Sequence, residues 1–258
     1  MLLPLSWPSP QDFSRARFRK RWTAFVGRLT AERRAAGKTD GAPPRDLFDL
    51  MGDARDPETG KAFSDAQLGD EVATMILAGH ETTATALFWA LYLLALDPAT
   101  QDQVAAEVKD APLDIEHLKF TRAVIDETMR LYPPAFLIAR AAAAPDTVAG
   151  LPVRKNDVIM IAPWLLHRHE KLWHDPNAFI PQRFLASAPP PDRFAYLPFG
   201  VGARVCIGAH FALTEATLAL AKLIGAFRIE LIDKTAVTPI GVVTTQPDCS
   251  PMFTIKPR

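Results

Sequence analysis

In the segment FGVGARVCIG, residues 199–208, Cys206 is one of two cysteines in the chain and stands among Gly200, Gly202, Gly208 and Arg204. A thiol here could ligate a metal or act as a nucleophile, the arginine could meet an anion, and the glycines allow close backbone approach. The nucleophile reading needs a base. The nearest supply is His167, His169 and His174, in a stretch with Arg168 and Lys171 where capping or solvent-facing roles are expected. A zinc site wants more ligands than one cysteine and loop histidines. GVGARV carries Val205 where a dinucleotide fingerprint has its third glycine, and no strand pattern leads into it. What remains is a thiolate ahead of a helix, where the dipole and free N–H groups favour an anion and the loop wraps beneath a flat cofactor. Arg204 would then answer an acidic group on that cofactor.

Three other stretches place reactive types where packing alone would not. In AGHETT, residues 78–83, Ala78 and Gly79 remove bulk from one face of a helical run, and Glu81 and Thr82 set a carboxylate and a hydroxyl beside the gap. That combination is a proton-delivery arrangement if water has room, or a helix kink with a solvated glutamate. In DETMR, Glu127 and Arg130 share a helix face at i, i+3, a pairing common on protein surfaces. In NAFIPQRF, Arg183 lies among Phe179, Ile180 and Phe184, so it either reaches inward to a carboxylate, with Glu127 a candidate, or snorkels from a loop.

The elements that must position these groups are mostly helical. Residues 12–36 carry apolar positions at helical spacing (Phe18, Trp22, Phe25, Val26, Leu29), which predicts a surface helix with a charged face. GKTDGAPP reads as a linker, a short helix is expected near 45–51, and DPETGKAFS reads as a loop. Ser64 with Gln67 forms a capping box opening a helix that meets no proline until Pro98. At 1.5 Å per residue it would be roughly 48 Å long, enough to cross a core. Helices are expected at 98–109 and 114–132, short strands at 136–140 and on either side of a turn at 150–157, and irregular chain over 163–205. A helix then runs from after Cys206 to about 225, and FRIELI and the last eighteen residues read as strands. The expected fold class is mainly α with a minor antiparallel β part, in one domain over 1–258.

Bulk composition excludes several classes. Lys+Arg and Asp+Glu balance at 29 each, so neither nucleic acid nor an anionic membrane is indicated as the main partner. Two cysteines are too few for a disulfide framework and point to a reducing, cytoplasmic setting. The most apolar run, ATALFWALYLLAL, is thirteen residues against the ~20 that a membrane span needs, so no transmembrane segment is expected.

Taken together and in this order, the motifs resemble the cytochrome P450 family. FGVGARVCIG matches the family's Phe-x-x-Gly-x-Arg-x-Cys-x-Gly pattern at every defined position, AGHETT its long central helix, and ETMR its Glu-x-x-Arg. The resemblance implies a haem-thiolate monooxygenase, inserting one atom of O2 into an apolar organic substrate. Its NAD(P)H-derived electrons would come from a separate ferredoxin- or flavodoxin-type donor or a flavoprotein reductase. By position, Cys206 would be the axial ligand to the iron of haem b. Phe199 would pack near its sulfur, and Gly200, Gly202 and Gly208 would allow the tight approach. Arg204 and Arg140 would pair with the propionates. Glu81 and Thr82 would organise water and relay protons, with Ala78 and Gly79 leaving space for oxygen. Glu127, Arg130 and Arg183 would form a structural ion-pair network. Gln182 stands where the family commonly has an acid. The family also has a further N-terminal portion ahead of the matched helices. The expectation is therefore an N-terminally truncated P450-like fold, with a non-catalytic fragment that binds haem poorly or without turnover as the alternative.

Overall fold

A computed structural model describes residues 10–37, 43–110, 114–233 and 236–258. The chain divides into two compact units, Met1–Ala78 and Gly79–Arg258, with the division inside one helix. Seven helices and eight short strands are described: α1 Pro10–Ala35, α2 Leu47–Asp53, α3 Asp65–Leu96, α4 Pro98–Asp110, α5 Lys119–Leu131, β1 Ile138–Ala141, β2 Asp146–Val148, β3 Leu151–Val153, β4 Val158–Ile161, α6 Pro163–Leu166, α7 Ala209–Ala226, β5 Phe227–Leu231, β6 Pro239–Gly241, β7 Thr245–Pro247 and β8 Phe253–Pro257. The expected mainly helical class with a minor antiparallel part is what forms. Part of the expected linker, residues 38–42, lies outside the described residues.

In the first unit α1 and α2 pack on the opening turns of α3 around Val26, Leu68 and Val72, with Trp22, Phe48 and Met51 against them. The capping box is present: Ser64 N–H donates to Gln67 Oε1 at 2.9 Å and Gln67 N–H to Ser64 Oγ at 3.3 Å. Arg33 pairs with Asp46, the N-cap of α2, and Arg34 with Asp65. Arg45, chelating Asp49 at 2.7 and 2.9 Å, holds that carboxyl well below the usual range. The apolar stripe expected on α1 is only partly covered. Val26 is buried while Phe18, Phe25 and Leu29 are exposed, because α2 and the start of α3 offer one helix face's worth of partner surface within this unit.

In the second unit the core lies between the C-terminal half of α3 (Ala86, Ala90, Leu94), α5 (Val124, Ile125, Met129) and α7 (Ala216, Leu220, Ile224), with Val104 of α4 and Ile229 of β5. A second cluster joins Trp89, Tyr92 and Val237, and Trp89 stacks flat on Tyr132 at 4.0 Å. The strands form four two-stranded antiparallel ribbons, β1–β4, β2–β3, β5–β8 and β6–β7. The predicted 114–132 helix begins instead at Lys119. Its first turn is capped from α4, where the Glu107 carboxylate accepts from Phe120 N–H at 2.7 Å and Thr121 N–H at 2.8 Å.

Candidate haem-ligating site and its supports

The loop before α7 is shaped by two glycines in the left-handed region, Gly200 at φ 72° and Gly202 at φ 77°, where a side chain would be strained. Between them and the helix, Cys206 N–H donates to the Phe199 carbonyl at 2.9 Å, closing the loop on itself. Phe199 turns inward against the core shared by α3, α5 and α7. Cys206 faces outward and its thiol is exposed. Next to it in the chain Ile207 is 85% exposed and Phe211 72%, an apolar margin that water does not favour.

Two guanidiniums bear on the same region. Arg204 ends the short 3-10 turn Gly202–Arg204, is exposed, and has no ion pair among the described residues. Arg140 on β1 is exposed, and among the described residues its guanidinium donates only to the neighbouring Ala139 carbonyl, at 2.9 Å. Ile138, two positions earlier and so on the same strand face, comes within 3.8 Å of where a Cβ at Gly200 would sit. The face of β1 that carries Arg140 therefore abuts the cysteine loop.

On α3, Gly79 and Thr82 share a face at i, i+3, and a Cβ added at Gly79 would meet nothing within 4 Å. Ala78 is exposed and Thr82 half-buried. Glu81 is held firmly. Its Oε1 accepts from Thr244 Oγ1 and Gln246 Nε2, each at 2.8 Å, and these bonds keep the carboxyl below its ordinary range, helped by nearby His80.

Glu127, Arg130 and Arg183 do come together. Glu127 and Arg130 are fully buried and bidentate, at 2.7 and 2.8 Å. Arg130 also donates to the carbonyls of His167 and Pro176 at 2.7 Å and of Ala178 at 2.9 Å. Glu127 Oε1 accepts from Ile180 N–H at 2.8 Å and Arg183 Nε at 3.3 Å. Arg183 thus points inward rather than snorkelling. Trp173 covers the Arg130 guanidinium at 5.0 Å.

His167, grouped in the sequence with solvent-facing loop histidines, is instead fully buried, and its Nε2 accepts from Leu197 N–H at 2.8 Å. Burial pushes its pKa down to about 4, against the pull of the Met129 and Arg130 backbone. Its neighbour His174 does face solvent. Arg168 lies 3.6 Å over the Trp164 ring, and burial lowers its pKa to about 10. Tyr196 donates to the Asp126 carbonyl at 2.9 Å, with Asp126 Oδ1 at 3.0 Å. The one available signal for these supports was their aromatic and basic density in an irregular stretch.

The donor chemistry suits an iron that brings its own ring of ligands. The loop offers a single exposed thiol, and among the described residues no cluster of three or more His, Cys, Asp or Glu could hold a bare ion. Around the thiol are apolar surface for a flat macrocycle and two cations for its acidic edge.

Comparison with known proteins agrees with this chemistry. The family model described as "Cytochrome P450" matches residues 2–247. "Cyclooctatin synthase" of Streptomyces melanosporofaciens is 40% identical over 75% of this chain and 44% of its own length. "Cyclooctat-9-en-7-ol 5-monooxygenase" of the same organism is 35% identical over 90% of this chain and 51% of its own. A solved structure titled "Crystal structure of a Cytochrome P450 (CYP102L1)" superposes with a TM-score of 0.85 at 28% identity, covering 99% of this chain and 60% of that one. The chain thus spans about half the length of the curated relatives it matches.

Proposed function

The chain belongs to the cytochrome P450 family, and from that premise we propose that residues 1–258 are the haem-ligating portion of one P450 domain, working as a monooxygenase on an apolar organic substrate. The observation that carries the reading is the outward Cys206 thiol on its two-glycine loop, bordered by exposed apolar side chains. The printed name of one relative, a 5-monooxygenase of cyclooctat-9-en-7-ol, supports the reaction class. When bound, haem b supplies O2 activation and accepts electrons from a ferredoxin- or flavodoxin-type donor or a flavoprotein reductase.

The residues contribute as follows. Cys206 Sγ holds the iron, the backbone bond from Cys206 N–H to Phe199 fixes the loop, and Gly208 keeps the helix entry narrow. Arg204 and Arg140 hold the propionates. Phe199 shields the inner side of the sulfur from water. On α3, Ala78 and Gly79 leave room for oxygen, while Thr82 and Glu81 hold and pass protons through water. Glu127, Arg130 and Arg183 fix α5 to the chain around 167–183. No described helix is long and apolar enough to cross a membrane. From the two cysteines, too few for a disulfide framework, we place the protein in the cytoplasm.

One experiment tests the proposal. The chain is loaded with haem, reduced and exposed to carbon monoxide. The family's red-shifted Soret band, lost in Cys206→Ala, supports the thiolate site. An ordinary haem spectrum from the unsubstituted chain overturns it.

A further inference from the structure

Glu81, Thr85 and Trp89 are spaced four apart along α3 and so form one stripe. That stripe grips the β6–β7 hairpin at three successive residues. Glu81 Oε1 accepts from Thr244 Oγ1 and Gln246 Nε2, each at 2.8 Å. The Thr85 and Thr244 hydroxyls lie 3.5 Å apart, and Trp89 Nε1 donates to the Thr245 carbonyl at 2.7 Å. From the other side, Thr245 N–H donates to the Pro134 carbonyl at 3.1 Å and its hydroxyl to the Pro133 carbonyl. Thr244 and Thr245 are buried, whereas the hairpin tip, Val242 and Val243, is exposed.

Two donors converge on one carboxylate oxygen. A glutamate has three rotatable bonds, and anchoring Oε1 in this way removes most of that freedom. We propose that Thr244 and Gln246 are positioning residues for Glu81: they fix Oε1 against the hairpin, so that Oε2 alone takes part in proton handling on the α3 face beside Thr82. The inference rests on the proton-handling role proposed above for Glu81. The facing groups are few. His80 on α3 is the titratable neighbour that acts on Glu81, and the hairpin meets it with the neutral Thr244 and Gln246. Both hydrogen bonds favour the ionised carboxylate, so Glu81 rests as an acceptor and receives a proton before passing one on.

The test uses the full chain without haem, titrated from pH 7 to 4.5 by infrared difference spectroscopy, with Glu81→Gln as the reference that isolates the Glu81 band. In the unsubstituted chain Glu81 stays a carboxylate across the window. In Thr244→Val and in Gln246→Leu its carboxylic-acid band grows in at a higher pH than in the unsubstituted chain, because each change removes a donor that favours the ionised carboxylate. Thr244→Ser, which keeps the hydroxyl, titrates like the parent. An unchanged Glu81 band in both variants overturns the proposal, as does Thr244→Ser behaving like Thr244→Val. Gln246 is half-buried, so Gln246→Leu carries the test alone if Thr244→Val does not fold. Because carbon monoxide spectra play no part, a chain that fails the thiolate test above leaves this result readable.

Discussion

His167 and Leu197 stand 30 residues apart and meet in the buried interior, the ring nitrogen Nε2 accepting the Leu197 backbone N–H at 2.8 Å. The bond needs an unprotonated nitrogen, and burial keeps it so, with a pKa of about 4 against 6.5 for a free histidine. The unfolded chain therefore binds a proton between those values that the folded chain refuses. Stability from this residue is complete above pH 6.5 and is lost as pH falls toward 4, by roughly 3 kcal/mol at the lower end. Asp126, whose carboxyl pKa is raised by burial, takes up its proton more readily when folded and offsets part of the slope at the acid end. Urea unfolding at stepped pH reads the net effect. His167→Gln, which keeps an acceptor but does not titrate, flattens the slope between pH 6.5 and 5.

Arg130→Ala leaves a fully buried Glu127 charge and strips a donor from three backbone carbonyls. We expect it to cost about 3–5 kcal/mol. Arg183→Ala removes a 3.3 Å contact at a partly exposed edge and costs roughly 1–2 kcal/mol. Equilibrium denaturation of both variants checks the order, and equal costs would mean that the network has no centre at Arg130.

A Cβ at Gly241 would lie 2.8, 3.0 and 3.2 Å from three carbons of the Phe136 ring. Gly241→Ala must push the ring or the hairpin aside, at about 1–3 kcal/mol. Adding Phe136→Leu recovers part of that loss, and a double-mutant cycle measures the coupling. Additive costs would count against the close approach.

Glu107→Ala uncaps α5, since its carboxylate takes two backbone N–H groups and the Thr121 hydroxyl. A loss of about 1–2 kcal/mol is expected. Hydrogen exchange at Phe120 and Thr121 should quicken before the rest of the helix does.

Much of the helical frame could be read in advance because its signals are local. The Ser64 capping box and Pro98 bracket α3 to the residue, and the Glu127–Arg130 spacing puts two charges on one helix face whatever lies around it. The candidate site could be picked out where its residues are neighbours in sequence, as in the loop around Cys206. The supports that escaped detection depend on distant partners. Nothing near His167 announces Leu197, and nothing in AGHETT announces that Glu81 is met by Thr244 and Gln246 from 163 and 165 residues away. Glu107 escaped for the same reason: a helix is ordinarily capped by its own preceding residue, and α5 is capped by its neighbour.

Cys206 and Cys249 are both exposed thiols. If Cys206 holds haem as proposed, a bound macrocycle would cover that thiol and leave Cys249 open, so the chain would carry its own internal standard for loading. An alkylating reagent offered to the empty chain reaches both sulfurs, and offered to the filled chain it reaches Cys249 alone. The ratio of the two labels, read by mass spectrometry, is a direct occupancy gauge. The same asymmetry makes the unfilled chain the more vulnerable to air, because oxidation of Cys206 beyond the sulfenic stage would permanently remove its one candidate for holding iron.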